Sequence, residues 1–111
     1  MPGKFEIYAD NGGKFRFRLK SSNGQIVLSS QGYTTKAAAT RGAESVKENA
    51  GDTDAFDSLT SASGKFHFNM KAKNRQVIGT SQMYASQSAR DNGIEAVGRA
   101  AADADIVDAA D

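Results

Sequence analysis

The sequence predicts an α+β domain: two tandem β-β-β-α(-β) repeats sharing one antiparallel sheet, with two helices on one face and a pseudo-twofold relation between the halves. Three observations predict it. The chain repeats itself at a fixed offset, apolar and polar residues alternate early in each copy, and each copy then passes a helix-start signal into an alanine-rich run.

The duplication fixes the register of everything else. A shift of 51 positions lays Gly13-Lys14-Phe15-Arg16-Phe17-Arg18-Leu19-Lys20 on Gly64-Lys65-Phe66-His67-Phe68-Asn69-Met70-Lys71. No gap is needed afterwards: Asn23 meets Asn74, Ser30-Gln31 meets Ser81-Gln82, Tyr33 meets Tyr84, Gly42 meets Gly93 and Val46 meets Val97. The acidic connection repeats too, with Asp52, Asp54 and Asp57 matching Asp103, Asp105 and Asp108. The repeats span about 4–54 and 55–111 of a single domain. Phe5, Phe56 and Val107 share one register, so the opening strand pattern occurs three times and the last segment reads as a closing strand.

Phe5-Glu6-Ile7-Tyr8 and Lys14 to Lys20 alternate with period two, which describes strands with one face buried and one in water. Ser22-Asn23-Gly24-Gln25 is a hairpin turn, because Asn-Gly readily takes the positive φ that such turns require. Asn74-Arg75 is a weaker version, read as a turn through the repeat. The strand Gln25–Ser30 follows. Thr34-Thr35 then offers an N-cap for a helix running to about Asn49 and stopping at Gly51, and Ser86 caps a second helix to about Ala101. Ala38, Gly42, Val46 and Ala50 form a stripe spaced by four. A mid-helix glycine costs roughly 1 kcal/mol relative to alanine, and its recurrence at Gly93 points to close helix-to-sheet approach. The predicted core is Phe5, Ile7, Phe15, Phe17, Leu19, Ile26, Leu28, Val46, Phe56, Phe66, Phe68, Met70, Val77, Ile94 and Val97.

Bulk properties narrow the class. With 111 residues, 39% hydrophobic and 24% charged, the chain is an ordinary globular domain and too apolar for a disordered one. There is no cysteine, which excludes disulfides and thiolate chemistry. No apolar run approaches the roughly 18–20 residues that span a bilayer. The N-terminus lacks the apolar core of a signal peptide, so a cytoplasmic location is expected. Net charge is +1, but it is segregated twice: no acidic residue lies between Asp10 and Glu44, or between Asp57 and Asp91.

Few residues carry candidate chemistry. His67 is the sole histidine; its counterpart is Arg16, on the polar side of the strand, so it reads as a surface residue and not a base or ligand. No nucleophile elbow, Walker loop, metalloprotease helix or dinucleotide fingerprint occurs. Gly12-Gly13 with Asn11 makes a turn, not a phosphate cradle. Asp52-x-Asp54-x-x-Asp57 lacks the glycine and the bidentate glutamate of a calcium loop, so no metal site is expected. No cofactor and no catalytic residue is expected, and hence no enzyme.

The basic rows are the most informative feature. By alternation Lys14, Arg16, Arg18 and Lys20 project together away from the phenylalanines, as do Lys65, His67, Asn69 and Lys71 in the second copy. Lys14, Arg16, Arg18, Lys20, Lys65, His67 and Lys71 are therefore the candidate polyanion-binding residues. Against this, Glu6, Asp57 and Asp108 fall on the same face by alternation and offer cross-strand ion pairs. Only Tyr8 supplies an aromatic platform there, whereas an RNA-recognition sheet presents several. Tyr8, Val27, Leu59 and Ile78 also point to the open face by alternation, as a candidate apolar patch for a protein partner.

The pattern Phe15-Arg16-Phe17-Arg18-Leu19-Lys20, Asn23-Gly24-Gln25, Tyr33 and Gly42-Ala43-Glu44-Ser45-Val46-Lys47 resembles the YegP-like bacterial proteins, and the second copy matches equally well. The resemblance covers nearly the whole chain. It implies β3-α-β units that share one sheet and exchange their terminal strands, in keeping with the threefold opening strand. It implies no activity, cofactor or catalytic residue.

The resulting expectation is a non-enzymatic module that binds an unidentified protein partner through the open sheet face. The alternative is a weak nucleic-acid or other polyanion binder. No membrane association is expected. A monomer is, because the duplication supplies internally the partner that one copy would need. Truncation after Gly51 is therefore expected to abolish cooperative folding; a stable folded monomer by circular dichroism and sedimentation would refute the shared sheet.

Overall fold

In a computed structural model, residues 3–73, 75–102 and 104–108 are described. Their elements run β1 (Lys4–Ala9), β2 (Phe15–Lys20), β3 (Ile26–Ser29), α1 (Lys36–Asn49), a 3-10 turn (Thr53–Ala55), β4 (Phe56–Thr60), β5 (Phe66–Lys71), β6 (Val77–Thr80), α2 (Gln87–Ala102) and β7 (Asp105–Asp108). All strands join one sheet in the order β4-β5-β6-β3-β2-β1-β7. Neighbours are antiparallel except β1 and β7, which run parallel, so the sheet is mixed at one edge. No described helix is long and apolar enough to cross a membrane.

The halves meet where β3 and β6 pair at Ser29↔Thr80, two residues that are each other's repeat counterparts. A pseudo-twofold axis therefore passes between them. An axis cannot accommodate the same large side chain twice. Leu28 fills the space, and its counterpart is Gly79, where an added Cβ would lie 2.7 Å from Leu28 Cγ and 2.8 Å from Cδ2.

Each helix starts as its cap residue dictates. Thr35 Oγ1 accepts from Ala38 N at 3.1 Å, and Ser86 Oγ accepts from Ala89 N at 3.1 Å. Both helices lie on the phenylalanine face: α1 packs on β1 and β2, and α2 on β5, β3, β2 and β1. Between them and the sheet Phe5, Ile7, Phe17, Leu19, Leu28, Val46, Phe68, Met70 and Val97 are almost wholly buried, each contributing roughly 1.5–3 kcal/mol. Phe5 meets Phe17 edge-on at 5.9 Å, and Phe56 meets Phe68 likewise at 5.7 Å.

The mid-helix glycines receive a tyrosine. A Cβ on Gly42 would strike the Tyr33 hydroxyl at 2.6 Å and the Phe17 ring at 2.9 Å; Gly93 meets Tyr84 in the same way. Tyr33 stacks on Phe17 and Tyr84 on Phe68. Each tyrosine is also held through its backbone, Tyr33 exchanging hydrogen bonds of 2.7 and 2.8 Å with Phe15. Burial raises the Tyr33 phenol above its ordinary pKa.

Several placements differ from the sequence expectation. Val27 and Ile78, assigned to the open face, are buried in the core, while Ile26, assigned to the core, is 40% exposed. The cause is a bulge in each hairpin. Leu19 pairs with Leu28 but Lys20 with Ile26, and Met70 pairs with Gly79 but Lys71 with Val77. The extra residue, Val27 or Ile78, breaks the alternation and turns inward. Phe15, Phe56 and Ile94 are half-buried and pack against the core. Phe66, half-buried beneath Arg90, and Val77, which pairs with Lys71 as Ile26 pairs with Lys20, lie outside the core cluster to which the sequence assigned them. Asp108 also changes side: it pairs with Ile7, on the helix side, and bridges to Lys36 of α1 at 3.0 Å. Strand β1 already occupies the place beside β2 that the repeat register would give β7, so β7 adds outside it.

The first hairpin turn has Gly24 at φ +85°, and in the second Arg75 takes the same left-handed conformation at φ 69°. Asn74 and Asp103 lie outside the described residues. Gly79→Leu is expected to destabilise the domain by about 1–3 kcal/mol through overpacking at the seam. The exchange Leu28→Gly/Gly79→Leu should cost less than the two single changes together, measured by urea unfolding.

Candidate functional site

The face opposite the helices is bare and polar, with one row of residues crossing it from edge to edge. Cross-strand pairing aligns Asp57, Asn69, Thr80, Ser29, Arg18, Glu6 and Val107. Thr80 Oγ1 donates to Asn69 Oδ1 at 2.9 Å in the second-repeat half.

Charge concentrates on the first-repeat half. Glu6 is approached by Arg18 at 2.7 Å, Lys20 at 3.2 Å and Lys4 at 3.4 Å. Three cations thus share one carboxylate. The Arg18 hydrogen bond, with smaller help from Lys20 and against partial desolvation, holds the Glu6 carboxyl down at about 2, where 4.5 is usual. The Arg18 guanidinium also lies over the Tyr8 ring, 4.6 Å from its centroid, so the aromatic platform is already covered by a cation. Arg16 donates from Nε to Asp10 Oδ2 at 2.8 Å and reaches the Ser30 carbonyl at 3.3 Å. Asp10 Oδ1 accepts from the Gly12 and Lys14 amides at 2.9 and 3.0 Å. Together, with Arg16 first, these bonds lower the Asp10 pKa.

The second-repeat half is less basic. Lys71 pairs with Asp57 at 3.0 Å. His67 faces Leu59 across the β4–β5 pair, and its Nδ1 is buried without a hydrogen-bond partner among the described residues. Lys14 and Lys65 sit exposed at the hairpin ends. Of the apolar candidates, Tyr8 and Leu59 remain half-buried on the open face, on β1 and β4, with four strands between them. With Val27 and Ile78 inward, they form no continuous patch. Among the described residues the exposed large apolar groups are Ile26 on β3, Val107 on β7 and Met83 in the connection before α2; the bulge and the parallel addition put the first two there. Asp52 is occupied locally, its Oδ1 accepting from the Asp54 amide at 3.0 Å.

The family model described as a domain of unknown function (DUF1508) matches the chain twice, over residues 10–57 and 61–108. The chain belongs to this family. Both copies of the duplication are thus family units. The UPF0339 protein in the ptx operon 5' region of Stutzerimonas stutzeri is 53% identical over 108 residues, 97% of each chain. The UPF0339 protein YegP of Escherichia coli strain K12 is 43% identical over 97 residues, 87% of this chain and 88% of that one. The solution NMR structure of yegP from E. coli superposes with a TM-score of 0.93 at 39% identity, covering 99% of this chain and 95% of that one. That of a UPF0339 protein from Shewanella oneidensis gives 0.92 at 40% identity, covering 99% and 93%. The YegP-like resemblance and the two-repeat α+β fold are therefore established.

Glu6 gives the face a pH signature. Its folded pKa is depressed, so its contribution is present above about pH 4.5 and is lost as the pH falls toward 2. Glu6→Gln is expected to lower stability at pH 7 by on the order of 1 kcal/mol and to flatten the wild-type decline across that window, read from urea midpoints at a series of pH values.

Proposed function

We propose that the chain is a non-enzymatic binding module that engages an acidic partner through the first-repeat half of the open sheet face. One observation carries this reading: Lys4, Arg18 and Lys20 converge on the single carboxylate of Glu6, on a face that neither helix covers. Neutralising one cation leaves two, fixed in place by the strand rows and by Tyr8 beneath Arg18. Such an array holds successive anionic groups along an extended partner.

The inward turn of Val27 and Ile78 shifts the reading from apolar capture toward polar recognition. A cytoplasmic monomer accords with the cysteine-free composition and with a seam that joins two repeats within one chain. A nucleic acid is an extended partner with a regular run of anionic groups, and it is the first to test.

Fluorescence anisotropy with labelled single-stranded and duplex oligonucleotides, at 20 mM and at physiological salt, makes that test. Binding is expected to weaken steeply with salt and to fall by at least about tenfold in Arg18→Glu, while Lys65→Glu changes it less. Salt-independent binding, or none at low salt, would refute the polyanion reading.

A further inference from the structure

The two edges of the sheet are built from the same strand type yet are treated differently. At one edge β7 lies parallel on β1, with Lys4↔Asp105, Phe5↔Ile106, Glu6↔Val107 and Ile7↔Asp108 in register. At the other edge β4, the repeat counterpart of β1, is the last strand among the described residues. Burial records the difference. Phe5 and Ile7 are 0% and 1% exposed, whereas their counterparts Phe56 and Ser58 are half-buried and exposed.

The two helices differ at matching positions. Along α1, Lys36 bridges Asp108 of β7 and the buried Ala39 follows three residues later on the same side. Along α2 the counterparts are Gln87 and Arg90. Arg90 is 8% exposed, and its guanidinium lies over the Phe66 ring at 5.6 Å. Its ion pair is a single long contact of 3.4 Å with the adjacent Asp91. An arginine buried this far ordinarily satisfies its fork with a bidentate carboxylate.

We propose that the outer edge of β4 receives an extended acidic segment of a partner protein, added parallel as β7 is added to β1, with a carboxylate docking on Arg90. The internal β1–β7 pair supplies the register. An apolar side chain lies against Phe56, as Ile106 lies against Phe5, and two residues later an acidic one lies beside Ser58, where Asp108 lies beside Ile7. Main-chain hydrogen bonds supply affinity and the apolar-x-acid pattern supplies selectivity. The occupant is a separate protein, not a second copy of this chain, because β7 is already paired with its own β1 and moving it to another molecule's β4 exchanges one edge pairing for another with no gain.

A synthetic peptide with the sequence of residues 104–109 carries the required pattern and serves as the probe in an amide chemical-shift titration of the full chain. The expected shifts are confined to Phe56–Thr60 and the first turns of α2. Arg90→Ala, which copies the residue the first repeat already tolerates at Ala39, is expected to weaken binding by about tenfold. A peptide with asparagine at the 108 position is expected to weaken it by a similar factor and to lose nothing further against Arg90→Ala. Shifts centred on Lys4–Ala9 would mean displacement of β7 and would overturn the proposal. So would the absence of binding, or concentration-dependent self-association of the chain in its place. Tighter binding by Arg90→Ala would overturn it too, identifying Arg90 as a guard that keeps the edge clear.

Discussion

Everything in this molecule depends on how one repeat meets its own copy across the β3–β6 seam. Two strands of identical ancestry face each other around an axis where their side chains compete for one volume. The competition is settled by inequality, Leu28 on one side and Gly79 on the other. That choice lets the strands pair at Ser29 and Thr80, and the pairing merges two marginal three-stranded units into one sheet. A unit of some fifty residues buries a smaller share of its surface and is marginal by itself. Joined, the halves give α2 a sheet wide enough to cross: it packs on its own β5 and reaches β3, β2 and β1 of the other repeat, while α1 stays over β1 and β2. The close approach is sustained by Gly42 and Gly93, each seating a tyrosine that is stacked on a core phenylalanine and tied by its backbone to the neighbouring strand.

With the core shared, the surfaces were free to diverge. The first repeat carries the cation cluster around Glu6 and the Arg16–Asp10 pair; the second places His67, Asn69 and Leu59 at the matching positions. The helix flank that faces β7 in the first repeat has lysine and alanine, and its copy has glutamine and a buried arginine. Even the hairpin turns differ, one using glycine and the other arginine for the same left-handed residue. The duplication therefore yields an interior that is symmetric except where the copies meet, at Leu28 and Gly79, and where Arg90 replaces Ala39, with a more strongly asymmetric exterior.

How far the sequence discloses this follows from what each signal measures. The repeat, the strands, both capped helices and the buried phenylalanine rows are legible because they rest on periodicity and local hydrogen bonding. Thr35 and Ser86 cap the helices the sequence assigns to them. The side assignments fail where periodicity is interrupted by a contact distant in sequence. A bulge shows no residue-level signature in Ile26-Val27-Leu28, three interchangeable apolar residues, so alternation assigns Val27 and Ile78 to the wrong face. Parallel addition of β7 likewise shifts Asp108 to the helix side, because the repeat register describes kinship and not spatial partnership. The cation rows were legible one by one. Their convergence on Glu6 was not, since it needs the β1–β2 register.

The pairing of β1 with β7 joins the first and last described strands side by side and in the same direction. A tension applied between the two ends would pull β1 and β7 past each other along their length. The evenly spaced, slanted hydrogen bonds of a parallel pair then bear that load together instead of opening one after another. The ends of this small domain are thus fastened by a shear clasp, and the rest of the fold stays sheltered until it slips.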